Sequence, residues 1–222
     1  MRVRAKICGI TRPEWACAAA DAGADAIGLV FAESPRRVTA KQAAEIVRAL
    51  PPWVTPVGVF VDETAEAIRR VAAAVGLGAV QLHGDEPPEI LGELAPLKTI
   101  KVFRIGSDAD LAAARAWRDA AARLGVGPDA YMADARVAGG PKGGTGRPAD
   151  WASAARLADE GFRPLILAGG LAPENVAEAI RAVRPWGVDG SSALESQVGC
   201  KDMDRVRAFI RKVQSSRFQV PS

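Results

Sequence analysis

Cys8 closes a short apolar run in KICGIT, and Asp134 closes another in AYMAD. A thiol and a carboxylic acid can divide general base and general acid work between them if both reach the same substrate. That use requires partial burial of Asp134 and a positive potential beside Cys8, because the ordinary pKa of each is wrong for its role. Both residues also have plainer readings. Most free cysteines are small buried hydrophobes, and an aspartate after an apolar run is either a cap or an acid on a rim.

Two glycine-bearing segments point to phosphate. LAGGLAPENV sets Gly169 and Gly170 between a strand-like run and a helix-like one, and DGSSALE follows the next strand with Gly190, Ser191 and Ser192. Glycine lets backbone N–H groups approach an anion closely, and a helix start adds favourable potential. Arg36, in FAESPRRVTA, can grip a carboxylate or phosphate through two parallel hydrogen bonds or can simply be solvated, with Arg37 the weaker candidate. His83, in VQLHGDE, reads first as a hydrogen-bonded scaffold residue. Asp189 is a structural or supporting acid, Cys17 packs in an Ala-rich helix, and Cys200 is incidental. AGGPKGGTGRPADW (138–151) carries five glycines, enough freedom to close over a ligand or to serve as a solvated linker.

Composition narrows the classes. The 222 residues are 49% hydrophobic and 25% charged, long enough to bury a core without disulfides or metals. No uncharged apolar run reaches about 18 residues, so no membrane span is expected, and MRVRAKICGI lacks a secretory leader. Three cysteines without a CxxC favour a reducing cytoplasm. One histidine makes a His-based metal site improbable. The net charge of +3 is dispersed and aromatics are 5%, which suits a small anionic ligand better than nucleic acid.

These residues need a scaffold that gathers strand ends. Strand-like runs fall at Arg4–Cys8, Ala26–Phe31, Pro56–Val61, Ala79–Leu82, Thr99–Phe103, Ala130–Asp134, Leu165–Ala168 and Gly187–Asp189. Helix-like stretches follow at Pro13–Ala22, Ala40–Leu50, Ala65–Val75, Pro87–Leu94, Asp108–Leu124, Pro148–Asp159, Pro173–Ala182 and Lys201–Val213, with Thr39 and either Asp62 or Thr64 as N-caps. The runs are apolar throughout, as in a parallel sheet covered on both faces. Eight such units predict an α/β fold, a single-domain (βα)8 barrel over residues 1–214, with a loosely held tail at 215–222. A doubly wound open sheet uses fewer strands. In a barrel the polar residues after the strands converge on one rim, and the loops after strands seven and eight are the usual phosphate site.

KICGIT, GADAIGLVF, SPRRV, VGVFV, AVQLHGDE, GGTGRPADW, LAGGLAPENV and VDGSSALE occur in this order from Lys6 to about Lys212, and together they resemble the phosphoribosylanthranilate isomerase family of tryptophan biosynthesis. The resemblance implies a cofactor-free Amadori rearrangement of N-(5-phosphoribosyl)anthranilate. It implies Cys8 as general base, Asp134 as general acid and Arg36 on the anthranilate carboxylate. It gives His83 a positioning role and puts phosphate on Gly169–Gly170 and Gly190–Ala193. Where the family commonly reads VDVSSGVE, this chain has Gly190 and Ala193. The implied partner is a small phosphorylated molecule, neither nucleic acid nor membrane, with a monomer or a homodimer equally open. A non-catalytic phosphate-ligand-binding barrel is the alternative.

Overall fold

The computed structural model describes residues 2–135 and 151–216. Eight parallel strands close into a barrel in chain order: β1 Arg4–Cys8, β2 Ala26–Val30, β3 Thr55–Phe60, β4 Ala79–Leu82, β5 Thr99–Ile105, β6 Ala130–Ala135, β7 Leu165–Ala168 and β8 Gly187–Gly190. β8 returns to β1 with Lys6 opposite Asp189, which leaves the barrel sheet without an edge. The helices are α1 Pro13–Ala22, α2 Ala40–Ala49, α3 Ala65–Val75, α4 Ile90–Leu94, α5 Asp108–Arg123, α6 Trp151–Asp159, α7 Val176–Val183 and α8 Met203–Ser215. Among the described residues, none of them is long and apolar enough to cross a membrane.

Local chemistry sets these boundaries. Pro13 stands at the start of α1, where a missing N–H is harmless, and Gly23 ends it at φ 102°. Thr39 and Gln42 form a reciprocal capping box on α2. Thr64, not Asp62, caps α3 by accepting from the Ala67 amide; Asp62 instead accepts from the Asp85 amide at 2.6 Å. α4 begins at Ile90 rather than Pro87, since Pro88 holds the preceding residue out of helical geometry. α7 begins at Val176 rather than Pro173, because the Asn175 side chain bonds back to Ala172 and Gly170 and makes a turn there. α8 starts two residues later than expected because Lys201 belongs to a hairpin, β9 Glu195–Gln197 with β10 Cys200–Lys201, that periodicity did not reveal. Six strand ends, in five strands, also shift by one or two residues, with β5 running on to Ile105 as Arg104 and Ile105 pair with Asp134 and Ala135. The glycine-rich loop lies outside the described residues, as does most of the expected tail, although Ser215 is helical.

Side chains alternate between two cores. Ile7, Ile27, Leu29, Leu82, Phe162 and Phe209 pack in the shell between strands and helices, while Val57, Ala79, Ile100, Val102, Ala130, Met132, Ile166 and Ala168 fill the lumen. Lys101, outward on β5 yet 2% exposed, is buried with a partner. Its ammonium donates to Glu86 Oε2 at 2.6 Å and to the Gly84 carbonyl at 2.8 Å. The other Glu86 oxygen accepts from the amides of Asp62 and Gly84. One buried pair thus ties the loops after β3 and β4 together. Removing one member of such a pair strands the other charge. Lys101→Met should therefore lower unfolding free energy by ~3–5 kcal/mol in urea titrations, and Lys101→Met combined with Glu86→Leu should cost less than either single change.

Candidate active site

Cys8 and Asp134 both lie on inward-facing positions at the C-terminal ends of their strands. Cys8 shares its face of β1 with Lys6, two residues back, and Asp134 continues the Ala130–Met132 lumen row of β6. Cys8 is 8% exposed and the Asp134 side chain 27%. Both open toward the same mouth of the barrel.

His83 stands immediately after β4 and brings its Nε2 to 3.4 Å from Asp134 Oδ2. Gln81, one inward position lower, places its amide nitrogen 3.0 Å from His83 Nδ1. With that amide donating, Nδ1 is the acceptor and Nε2 carries the hydrogen that faces Asp134. Arg104 donates to the His83 carbonyl at 2.9 Å and fixes the backbone behind the ring. His83 therefore turns its Nε2 edge toward Asp134.

Below Cys8 lies a buried ion pair. Lys6 Nζ is 3.0 Å from Asp189 Oδ1, and both side chains are under a tenth exposed. Burial pushes the Cys8 thiol up, and Asp189 adds to that; Lys6 and Lys201 pull it down. The positive potential expected beside Cys8 is present, but burial outweighs it. Burial likewise raises Asp189, against the pull of Lys6 and His83.

Arg36 reaches the mouth from the loop after β2, but its fork is already engaged. Nε and Nη2 each donate to a Glu195 oxygen at 2.7 Å. Lys201, fully buried, donates to the same carboxylate at 2.7 Å and to the Ser191 carbonyl at 3.1 Å. Two cations and the Gly199 amide hold the Glu195 carboxyl at about 2 despite its burial. What Arg36 can offer a ligand is its remaining Nη edge.

The β7 and β8 ends are neighbours in register, so the two glycine-bearing loops lie side by side. Gly169 and Gly170 take φ of 97° and 64°, conformations that suit glycine. Gly190 is required by packing instead: a Cβ there would lie 2.6 Å from Leu194 and 3.2 Å from Phe209. Ser191 and Ser192 lead into a short 3-10 turn, Ser192–Leu194. Ala193 is in that turn and not at positive φ, so the departure from the family's glycine carries no backbone strain.

Comparison with known proteins adds the decisive observation. Residues 5–212 match the family model described as N-(5'-phosphoribosyl)anthranilate (PRA) isomerase. This chain belongs to that family. The N-(5'-phosphoribosyl)anthranilate isomerase of Geobacter sulfurreducens is 47% identical over 96% of this chain and 98% of its own. The crystal structure of phosphoribosyl anthranilate isomerase from Thermotoga maritima superposes with TM-score 0.84 at 40% identity, over 95% of this chain and 98% of that one. A second isomerase structure, at TM-score 0.81 and 39% identity over 95% and 98%, holds reduced 1-(o-carboxyphenylamino)-1-deoxyribulose 5-phosphate. The chain is accordingly an isomerase on a (βα)8 barrel.

Cys8, Asp134, His83 and the two loops lie at the C-terminal ends of their strands, where the sequence places them. Sequence reasoning missed Lys6, Gln81, Glu195 and Lys201 as groups that surround them. Lys6 had a signal, since a lysine two residues from Cys8 in an apolar strand must share its inward face. Glu195 had none, being 159 positions from Arg36.

Because Glu195 is held below the ordinary 4.5 in the folded chain, it contributes stability above that pH and loses it as pH falls toward about 2. Glu195→Gln should cost on the order of 2–3 kcal/mol at neutral pH. Urea midpoints of wild type and variant should converge as pH is lowered from about 5 toward about 3.

Proposed function

We propose the following division of labour for the Amadori rearrangement of N-(5-phosphoribosyl)anthranilate to 1-(2-carboxyphenylamino)-1-deoxyribulose 5-phosphate, the isomerisation that this family contributes to tryptophan biosynthesis. Asp134, as acid, gives its proton to the furanose oxygen while the C1–O bond breaks and the anthranilate nitrogen forms a C=N bond. The Asp134 carboxylate left behind faces the Nε2–H of His83. Cys8, as thiolate, then takes the proton from C2, and the enaminol that results tautomerises to the aminoketose. The substrate nitrogen supplies the electron push, so no cofactor enters the scheme.

The observation that carries this reading is the shared inward orientation of Cys8 on β1 and Asp134 on β6 around one mouth. An acid and a base on separated strands can bracket one sugar. The remaining roles follow from position. Arg36, braced by Glu195, turns its outer guanidinium edge to the anthranilate carboxylate. Gly169, Gly170, Gly190, Ser191 and Ser192 hold the phosphate at the far end, and that remote binding energy aligns the reacting carbons. Every residue in the scheme comes from one chain, so it operates in a monomer or a homodimer alike. Three free thiols suit a cytoplasmic setting.

A fluorescence assay of substrate consumption tests the assignments. Cys8→Ser and Asp134→Asn should each lower kcat by about 10²-fold or more while still binding the reduced product analogue. Near-wild-type turnover in either would remove that role. Arg36→Met should raise KM at least tenfold with a smaller change in kcat, and an unchanged KM would take the carboxylate contact from it.

A further inference from the structure

The mechanism above leaves unused the most deeply buried charges of the lumen. Lys6 and Asp189 are 5% and 7% exposed, and an ion pair so placed is a poor device for stability, because two apolar residues of similar size would serve at least as well. Its location suggests another use. Lys6 is the inward residue next below Cys8, and across the β1–β2 ladder Cys8 is paired with Gly28. A Cβ on Gly28 would meet Cys8 Sγ at 2.7 Å and Lys6 Nζ at 3.0 Å. Thiol and ammonium therefore flank one small space that only glycine leaves open. On its other side the ammonium is tethered to Asp189 at 3.0 Å.

We propose that Lys6 is a positioning residue for the reaction: its ammonium, aimed by Asp189, holds the Cys8 sulfur in place and favours its thiolate. This rests on Cys8 being the base. Lys6 keeps its proton throughout, and when C2 gives up its hydrogen the S–H bond forms beside an ammonium that has not moved. Other charges also face the sulfur: Lys201 from β10 and Arg36 from the loop after β2 favour the thiolate, and Asp189 from β8 opposes it. His83 and Asp134 act on Asp189 from the opposite side of the mouth. Lys6 is the one that shares with the sulfur the space over Gly28. Burial pushes the thiol up, so a cation placed close to the sulfur is what the base needs.

The test compares pH profiles of kcat/KM for two variants. Lys6→Gln with Asp189→Asn removes both charges and keeps an amide pair of similar size, so no charge is stranded. Asp189→Asn alone keeps the cation and removes its counter-charge. The acidic limb of the double variant should move up by at least one pH unit. At neutral pH kcat should fall about tenfold or more, with KM within about threefold. The limb of Asp189→Asn should move below that of wild type. A purely structural pair predicts wild-type limbs in both variants; a wild-type limb in the double variant, or an unmoved or upward limb in Asp189→Asn, overturns the proposal. If the double variant does not fold, the direction of the Asp189→Asn shift still decides. Cys8→Ser is the control for the underlying reading: an acidic limb surviving there at near-wild-type kcat shows that Cys8 is not the base, whatever Lys6 does.

Discussion

The barrel closes where the first strand meets the last, and a buried charge pair sits on that seam. Lys6 and Asp189 are register partners from residues 183 positions apart, joined by a 3.0 Å contact in the lumen. A lysine in an apolar interior requires an anion, and an aspartate there requires a cation. Each strand is thus committed to the other at one register. A slip of one residue would turn the whole inward row outward. The same row carries Cys8 at its upper end, so the constraint that closes the barrel also aims the thiol at the mouth.

A second junction holds the neighbouring wall. Glu195 draws Arg36 from the loop after β2 and Lys201 from the hairpin onto one carboxylate. Lys201 also grips the Ser191 carbonyl, which links the proposed carboxylate-binding arginine to the proposed phosphate loop. On the far side the Lys101–Glu86 pair anchors the loop that presents His83, and His83 faces Asp134. The proposed base thus stands beside one buried ion pair, and the proposed acid faces a histidine whose loop is tied by another. These pairs exchange conformational freedom for fixed geometry, which is what positional catalysis requires.

Much of this was legible in the residues. Apolar runs of even spacing, proline at helix starts and the TPVGVF and LILA segments made eight parallel strands readable, and the count pointed to a closed barrel. Cys8 and Asp134 could be placed because one ends its strand and the other stands next to its strand's end. The errors have physical causes. Tandem prolines delayed α4, an Asn175 turn delayed α7, and the β9–β10 hairpin was invisible because strands of three and two residues have no period to detect. The long-range pairs were hidden for a different reason. Arg36 with Glu195 and Lys101 with Glu86 depend on how distant loops fold over one another, and residue type alone does not choose the partner.

The central claim is that Cys8 and Asp134 act on one sugar from opposite sides. A crystal structure of this chain with the reduced aminoketose phosphate tests it most directly. The account predicts the phosphate on the Gly169–Gly170 and Gly190–Ser192 loops, the Cys8 sulfur against C2, and an Asp134 oxygen within hydrogen-bond reach of the former ring oxygen. A ligand bound with the phosphate in place but with C2 facing away from the sulfur, or with Asp134 separated from the sugar by water, would contradict it.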